Sequence, residues 1–401
     1  MKQFTSVFIF LLSAASVLHA MPAISKDSES KPLWEFYKDH FLIGNILAGG
    51  FHPEDPPYRE DAKEIEILKR EFNCLTAENN MKMMFIQPKE GFFHFKGGDA
   101  VVEIAEANGM EVVGHALVWH AMVPDWIFKA DDGSEVSREE LIERMRVHIH
   151  TVVKRYKGRI KYWDVVNEAV DTKWVEDLGA PKRADGTRPK KQIAFLRESP
   201  WYKIIGREYI EMAFRFAHEA DPDALLIYND YSMFEVPKAR FVADLVLHLK
   251  SRGIPIHGVG FQGHWHLKYP KASELQNAID TLASTGVQIS VSELDIGVLP
   301  LVDNYGGADV NKNADQDPKL NPYVDGAPQA VLDQQARRYA EIFKVFLNNS
   351  EHIERVSFWG VLDQYSWIND WPVKGRTALP LLFDRSYQPK PAYHALRNLI
   401  H

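Results

Sequence analysis

Two stretches place a carboxylate at the end of a run of strand-forming residues. Lys161–Asp171 reads KYWDVVNEAVD, an apolar run from Tyr162 to Val166 that ends in Asn167 and Glu168, and Gln288–Glu293 reads QISVSE and ends in Glu293. A carboxylate at the carboxyl end of a parallel barrel strand opens into the cleft where such folds do chemistry. Two of them, one protonated and one ionised, suit cleavage of a glycosidic bond. The acid protonates the leaving oxygen while the carboxylate attacks, or activates water against, an oxocarbenium-like centre. Other polar and aromatic residues end the neighbouring runs: Glu78, Asn79 and Lys82, then His115, Trp119 and His120, then Asn229, Asp230 and Tyr231. Gln262 and His264, Asp295, and Trp359 with Trp367 beyond it complete the set. One polar strand end is a cap; such ends on seven successive strands point to one shared cleft. Amides such as Asn167 suit sugar hydroxyls, and indole faces can flank a sugar ring.

The elements that must carry these residues alternate between strand and helix. Strands are expected at Phe41–Ile46, Phe72–Ala77, Glu111–His115, Tyr162–Asn167, Ala224–Asn229, His257–Gln262, Gln288–Glu293 and Val356–Trp359. Helical spacing fills Asp61–Glu71, Ala100–Ala107, Arg138–Tyr156, Tyr202–His218, Lys238–Arg252, Ala272–Ser284 and Gln334–Phe346. Short apolar strands alternating with helices predict a parallel sheet. Eight repeats predict a single (β/α)8 TIM barrel over residues 34–401, with long loops after strands 4 and 7. An open doubly wound sheet is the alternative, but it calls for a Gly-rich phosphate turn, and neither GxGxxG nor GxxxxGK[ST] occurs. The first long loop, Asp171–Pro200, is basic in its middle; the second, Leu299–Gln329, is rich in Asp, Asn, Gly and Pro.

Composition bounds the rest. The chain has 401 residues, 45% hydrophobic and 25% charged, with a net charge of −8. That is ordinary for a large globular core, and without a long basic run it gives no footprint for nucleic acid. Residues 1–20 carry one Lys, an apolar stretch and small residues, which predicts a secretory signal peptide, with a polar leader at 21–33. The expectation is a secreted or periplasmic monomer, off the membrane once the signal is cleaved. Cys74, the single cysteine, falls in an apolar run and is read as core. In the seventh loop DVNKNADQD resembles the opening of a Ca²⁺ loop. Ala314 and Leu320 stand where that loop needs Gly and Glu, so it is read as a solvated acidic loop. No cofactor and no metal is expected.

The strand ends together carry a family resemblance. TAENNMK, GHALVWH, WDVVNEAV, SPWYKIIG, YNDY, GVGFQGHWH, VSELDI and FWGVLDQYSW occur in this order between about Phe41 and Tyr393. The chain thus resembles the endo-β-1,4-xylanases of glycoside hydrolase family 10. The resemblance implies Glu168 as acid/base and Glu293 as nucleophile, with His264 bonded to the nucleophile and Asp295 orienting that imidazole. It implies Asn167 at a sugar 2-hydroxyl, and Glu78, Asn79, Lys82, His115, Trp119, Gln262, Trp359 and Trp367 along the glycone side. Tyr231 falls on the aglycone side. Retaining hydrolysis of xylan or xylo-oligosaccharides follows, with carboxyls about 5–5.5 Å apart. Other β-1,4-glycans, or a non-catalytic glycan-binding role, remain open. Where the family often has Ser-Gln after Trp-His, this chain has Ala121 and Met122. Met cannot donate the hydrogen bond of a Gln, so discrimination of xylose from glucose is expected to change.

Overall fold

Eight parallel strands close on themselves. The computed structural model describes residues 31–49, 54–302, 309–310 and 313–400. The expected signal peptide and most of the leader lie outside the described residues. The barrel strands are β1 (Leu42–Leu47), β2 (Cys74–Ala77), β3 (Glu111–Val118), β4 (Tyr162–Asn167), β7 (Leu225–Asp230), β8 (Gly258–Phe261), β10 (Gln288–Gly297) and β11 (Ile353–Phe358). Each pairs in parallel with the next, and β11 pairs with both β10 and β1, which closes the barrel. Three strands lie outside this ring or extend it. β5 (Val170–Glu176) and β6 (Lys190–Leu196) form an antiparallel hairpin in the first long loop, and β9 (His264–His266) pairs with the end of β10. All eight sequence-predicted strands are present. The hairpin is new, and the expected helix 202–218 is two helices, Pro200–Ile205 and Glu208–Ala220. The break falls at Gly206, whose φ of 96° is open to glycine and strained for other residues.

The inward side chains of the strands explain why the site sits at one end. Strand side chains alternate, so residues two apart share a face. Cys74, Val113, Tyr162 and Ile227 form a small apolar cluster inside the barrel. Two residues further along the same strands stand Thr76, His115, Asp164 and Asn229, all buried. The interior therefore turns from apolar to polar toward the carboxyl ends. The much larger cluster lies between strands and helices, on the other strand face. Cys74 is fully buried in the inner cluster, as expected of a small core residue.

Local chemistry sets several helix starts. Asp61 accepts hydrogen bonds from the backbone N–H of Lys63 and Glu64, Ser137 from Glu140, and Ser199 from Tyr202. Each cap satisfies N–H groups that the first turn leaves unpaired. The two ends of the folded unit are tied at Glu71, which accepts from Leu33 N–H and from the Tyr393 hydroxyl. Among the described residues no helix is long and apolar enough to cross a membrane.

Strand packing leaves no room at Gly114. A Cβ there would stand 2.2 Å from the fully buried Trp163 ring. Gly114→Ala is expected to cost about 1–3 kcal/mol, the usual range for overpacking. A lower denaturant midpoint at unchanged slope checks this; an unaltered midpoint contradicts it.

Candidate active site

Glu168 follows directly on β4 and has a φ of 58°, a left-handed conformation that costs a non-glycine residue on the order of 1–2 kcal/mol. Its backbone is held on both sides. Glu168 N–H donates to the Asn229 carbonyl at 2.8 Å, and Arg197 Nε donates to the Glu168 carbonyl at 3.0 Å. This turn sends the strand-end carboxyl into the cleft instead of along the sheet. The side chain is 3% exposed. Its Oε1 accepts from Gln262 Nε2 at 2.9 Å and, more weakly, from Asn167 Nδ2 at 3.4 Å. Its Oε2 has no hydrogen-bond partner among the described residues, and His120 Nδ1 stands 4.0 Å away. Burial pushes the Glu168 carboxyl up to about 7, with Asp230 and Glu293 adding to the rise and the Gln262 and Trp119 side chains opposing it.

Glu293, on β10, is buried in a different setting. His264 Nε2 stands 3.0 Å from its Oε2, and Asn229 Nδ2 donates to Oε1 at 2.8 Å. Behind the imidazole, Asp295 Oδ2 lies 2.8 Å from His264 Nδ1 and accepts from the Trp367 indole at 2.9 Å. Burial alone pushes the His264 ring down, but the charges and hydrogen bonds of Asp295 and Glu293 lift it to about 10. Burial likewise pushes Glu293 up. The His264 hydrogen bond and the nearby positive charge of His115, His264 and Lys82 outweigh it, and the carboxyl lies below its ordinary value. The two carboxylates are joined by a relay of amides. Asn229 Nδ2 also donates to Asn167 Oδ1 at 3.0 Å, and Gln262 Nε2 reaches the same oxygen at 3.2 Å. Ser292 donates to Asn229 Oδ1 and fixes which way that amide faces.

Both carboxylates line one open cleft of about 450 Å³. Glu78, Asn79 and Lys82 enter it from the end of β2, His115 and Trp119 from β3, and Asn167, Gln262 and His264 from the middle strands. Trp359 and Trp367 complete the wall. Lys82 donates to Asn79 at 2.9 Å and sits 5.0 Å from the Trp119 ring centre. His115 pairs with Asp164 at 2.8 Å and meets Trp359 edge-on, while Trp367 stacks on Trp371. Tyr231 is apart from this wall. Its hydroxyl accepts at 2.6 Å from Arg197, the same guanidinium that holds the Glu168 carbonyl. Asp295 is beneath His264 and supports it.

The sequence reading passed over several residues. Asn229 was seen only as a strand end, and nothing in its spacing shows that it touches Glu293. Arg59 and Tyr365 also line the cleft, with the guanidinium 3.8 Å over the Tyr365 ring, but Arg59 comes from a loop and Tyr365 from a short 3-10 turn, Asp363–Tyr365. Asp230, one of the polar strand ends, is bonded to Lys238 at 2.7 Å and to the backbone N–H of Tyr231 and Val170, a buried structural anchor. Met122 does line the cleft. The DVNKNADQD stretch lies partly outside the described residues. Within them, Asp317 caps the short turn Pro318–Leu320, and no group of three or more metal-ligating side chains gathers.

The sequence profile described as glycosyl hydrolase family 10 matches residues 33–399. Endo-1,4-beta-xylanase A of Xylanibacter ruminicola is 40% identical over 391 residues, 98% of this chain and 97% of that protein. A GH10 endoxylanase from a sugarcane soil metagenome superimposes with a TM-score of 0.81 at 40% identity, over 92% of this chain and 99% of that one. Xylanase 10B from Thermotoga petrophila, solved with xylobiose, gives 0.74 at 37% identity, over 92% and 97%.

The position of Glu168 makes stability depend on pH. At pH below its ordinary value of 4.5 the folded and unfolded chains both hold this proton. Between 4.5 and about 7 the unfolded chain releases it while the folded chain keeps it, so stability falls as pH rises. Glu168→Gln lacks this loss. Its melting temperature relative to wild type is expected to climb between pH 5 and pH 8, by a free energy on the order of 2 kcal/mol. A gap that stays constant across that range contradicts the raised carboxyl.

Proposed function

The chain belongs to glycosyl hydrolase family 10, and from that premise we propose that it is a retaining endo-β-1,4-xylanase that cuts internal bonds of xylan by double displacement. The observation that carries the mechanism is the opposed state of the two carboxyls in one cleft, Glu168 raised and Glu293 lowered. Glu293 enters the reaction ionised and attacks the anomeric carbon. Glu168 enters protonated and gives its proton to the leaving oxygen. Proton transfer and bond cleavage leave a glycosyl ester on Glu293. Glu168, now ionised, takes a proton from water, which attacks the same carbon and restores both groups.

The surrounding groups sort by the charge they serve. The His264 imidazolium and the Asn229 amide hold Glu293 for attack and stabilise its return as a leaving group. Asn167 and Gln262 are placed between the two carboxylates, where a sugar hydroxyl at the reacting ring would sit. Lys82, lowered by burial yet close to Glu293, Glu78 and Glu168, supplies a donor to the glycone. Trp359 and Trp119 offer apolar faces to a ring that has no charge of its own. The protein relatives named xylanases support xylan as the substrate, and residues 1–20 support export, to the periplasm or beyond.

Two experiments separate the roles. Glu168→Ala is expected to lose about 10²–10⁴-fold on xylan, the usual worth of general acid catalysis. It should lose far less in the first step on a dinitrophenyl xylobioside, whose leaving group needs no proton. Glu293→Ala should lose activity on both, and proton NMR of the wild-type reaction should show the β-anomer first. Parallel losses in the two variants, or an α-product, contradict the assignment. For Met122, Met122→Gln is expected to change the ratio of aryl xylobioside to aryl cellobioside hydrolysis by about fivefold or more; an equal ratio removes Met122 from sugar discrimination.

A further inference from the structure

Arg59 lines the cleft beside Glu78 and Lys82 but takes no part in the two-carboxylate reaction. Its side chain is 31% exposed and is fixed before any ligand arrives. The Arg59 N–H donates to the Ala48 carbonyl at 2.8 Å, which ties its loop to the end of β1. The guanidinium carbon lies 3.8 Å from the centre of the Tyr365 ring, and Nη1 reaches the two Glu64 oxygens at 3.2 and 3.3 Å. Tyr365 is anchored in turn. Its hydroxyl donates to Asp61 Oδ2 at 3.0 Å, the Tyr387 hydroxyl donates to the same oxygen at 2.8 Å, and Asp61 caps the helix Ala62–Glu71. Arg59 Nε and Nη2 have no hydrogen-bond partner among the described residues. These two nitrogens form one edge of the guanidinium. By that edge Arg155 grips both oxygens of Asp99, and Arg159 both oxygens of Glu106.

The neighbours of Arg59 leave its charge largely uncancelled. Glu64 is buried, and burial pushes its carboxyl up to about 7 although Arg59 opposes the rise. In mildly acid solution Glu64 is then mostly neutral while the guanidinium stays charged. Burial also raises Glu78, against the charges of Lys82 and Arg59. Asp370, also on the cleft, accepts from the Gly375 N–H. Unbranched xylan carries no charge, so a fixed cation gains little from it that a neutral amide would not. A carboxylate gains far more, because its two oxygens match the guanidinium edge in a bidentate pair.

We propose that Arg59 is a specificity-determining residue whose Nε–Nη2 edge binds the carboxylate of a uronic acid branch on the xylan chain. This rests on the xylanase reading above and adds a preference within it, for acidic branches over neutral ones. The Arg59 charge acts on Glu78, so the branch is borne by a sugar at the Glu78 end of the cleft.

The test uses a xylo-oligosaccharide with a glucuronic acid branch near its non-reducing end, and the same compound with that carboxyl reduced to a hydroxymethyl group. Reduction keeps the ring and removes the charge. The wild-type chain is expected to favour the acidic compound about fivefold in kcat/KM, and about 0.5 M NaCl to shrink that preference. Arg59→Gln should bring the ratio to about one, and Arg59→Lys, which keeps the charge and loses the fork, should retain part of it. Each ratio is taken on one preparation, so a general loss of folded protein cancels. A wild-type ratio of one or less, a ratio that Arg59→Gln leaves unchanged, or cleavage of linear xylan with neither branched compound cut overturns the proposal. Failure of the xylanase reading looks different: the wild-type chain then releases no oligosaccharide from linear xylan.

Discussion

Two carboxyl groups that face one cleft must hold different numbers of protons at the same pH, and the rest of the site follows from that constraint. Glu168 and Glu293 are both nearly inaccessible to water, so burial pushes both toward the neutral form. What separates them is their partners. Glu293 has an imidazolium backed by Asp295 and an amide donor on its other oxygen. Glu168 has one oxygen bonded by the Gln262 amide and, among the described residues' hydrogen bonds, no cation to match the His264 imidazolium of Glu293. Each charge raises the affinity of its opposite neighbour for the state it needs: ionised Glu293 favours the proton on Glu168. The same low-polarity setting that makes this division strong also makes it sensitive, because an unpaired buried charge is costly.

The barrel supplies the positions. Alternation along each strand buries an apolar residue at one level and a polar one two residues later, so the barrel's own packing delivers His115 to the cleft and Asp164 and Asn229 to the buried layer beneath it. Asn229 shows how tightly the levels are joined. It accepts from Ser292 and donates to both Asn167 and Glu293, and its carbonyl holds the Glu168 backbone. The left-handed turn at Glu168 is strained in isolation and persists because these bonds and Arg197 fix it.

Much of this was legible in the sequence. Apolar runs ending in Glu168, Glu293, Gln262 and Trp359 announced both the strands and the cleft, because strand period and the barrel's placement of its sites are local rules. The hairpin was not legible. Val170–Glu176 mixes Asp171, Lys173 and Glu176 with its apolar residues and Lys190–Leu196 opens on two lysines, so neither is the uninterrupted apolar run that marks a buried strand. The break at Gly206 was hidden because one glycine inside helical spacing is tolerated in many helices. Relations across strands, such as Asn229 with Glu293 or Arg197 with Tyr231, leave no trace in spacing; they exist only once the barrel has closed.

The division of protons between the two carboxyls can be read directly. Carbon-13 NMR of glutamate side-chain carboxyls, titrated in the free protein and assigned with Glu168→Gln, would follow each group. The account predicts that Glu168 titrates at about 7 and Glu293 below its ordinary value of 4.5. If both titrated together near 4.5, or if Glu293 held its proton to higher pH than Glu168, the account would be contradicted.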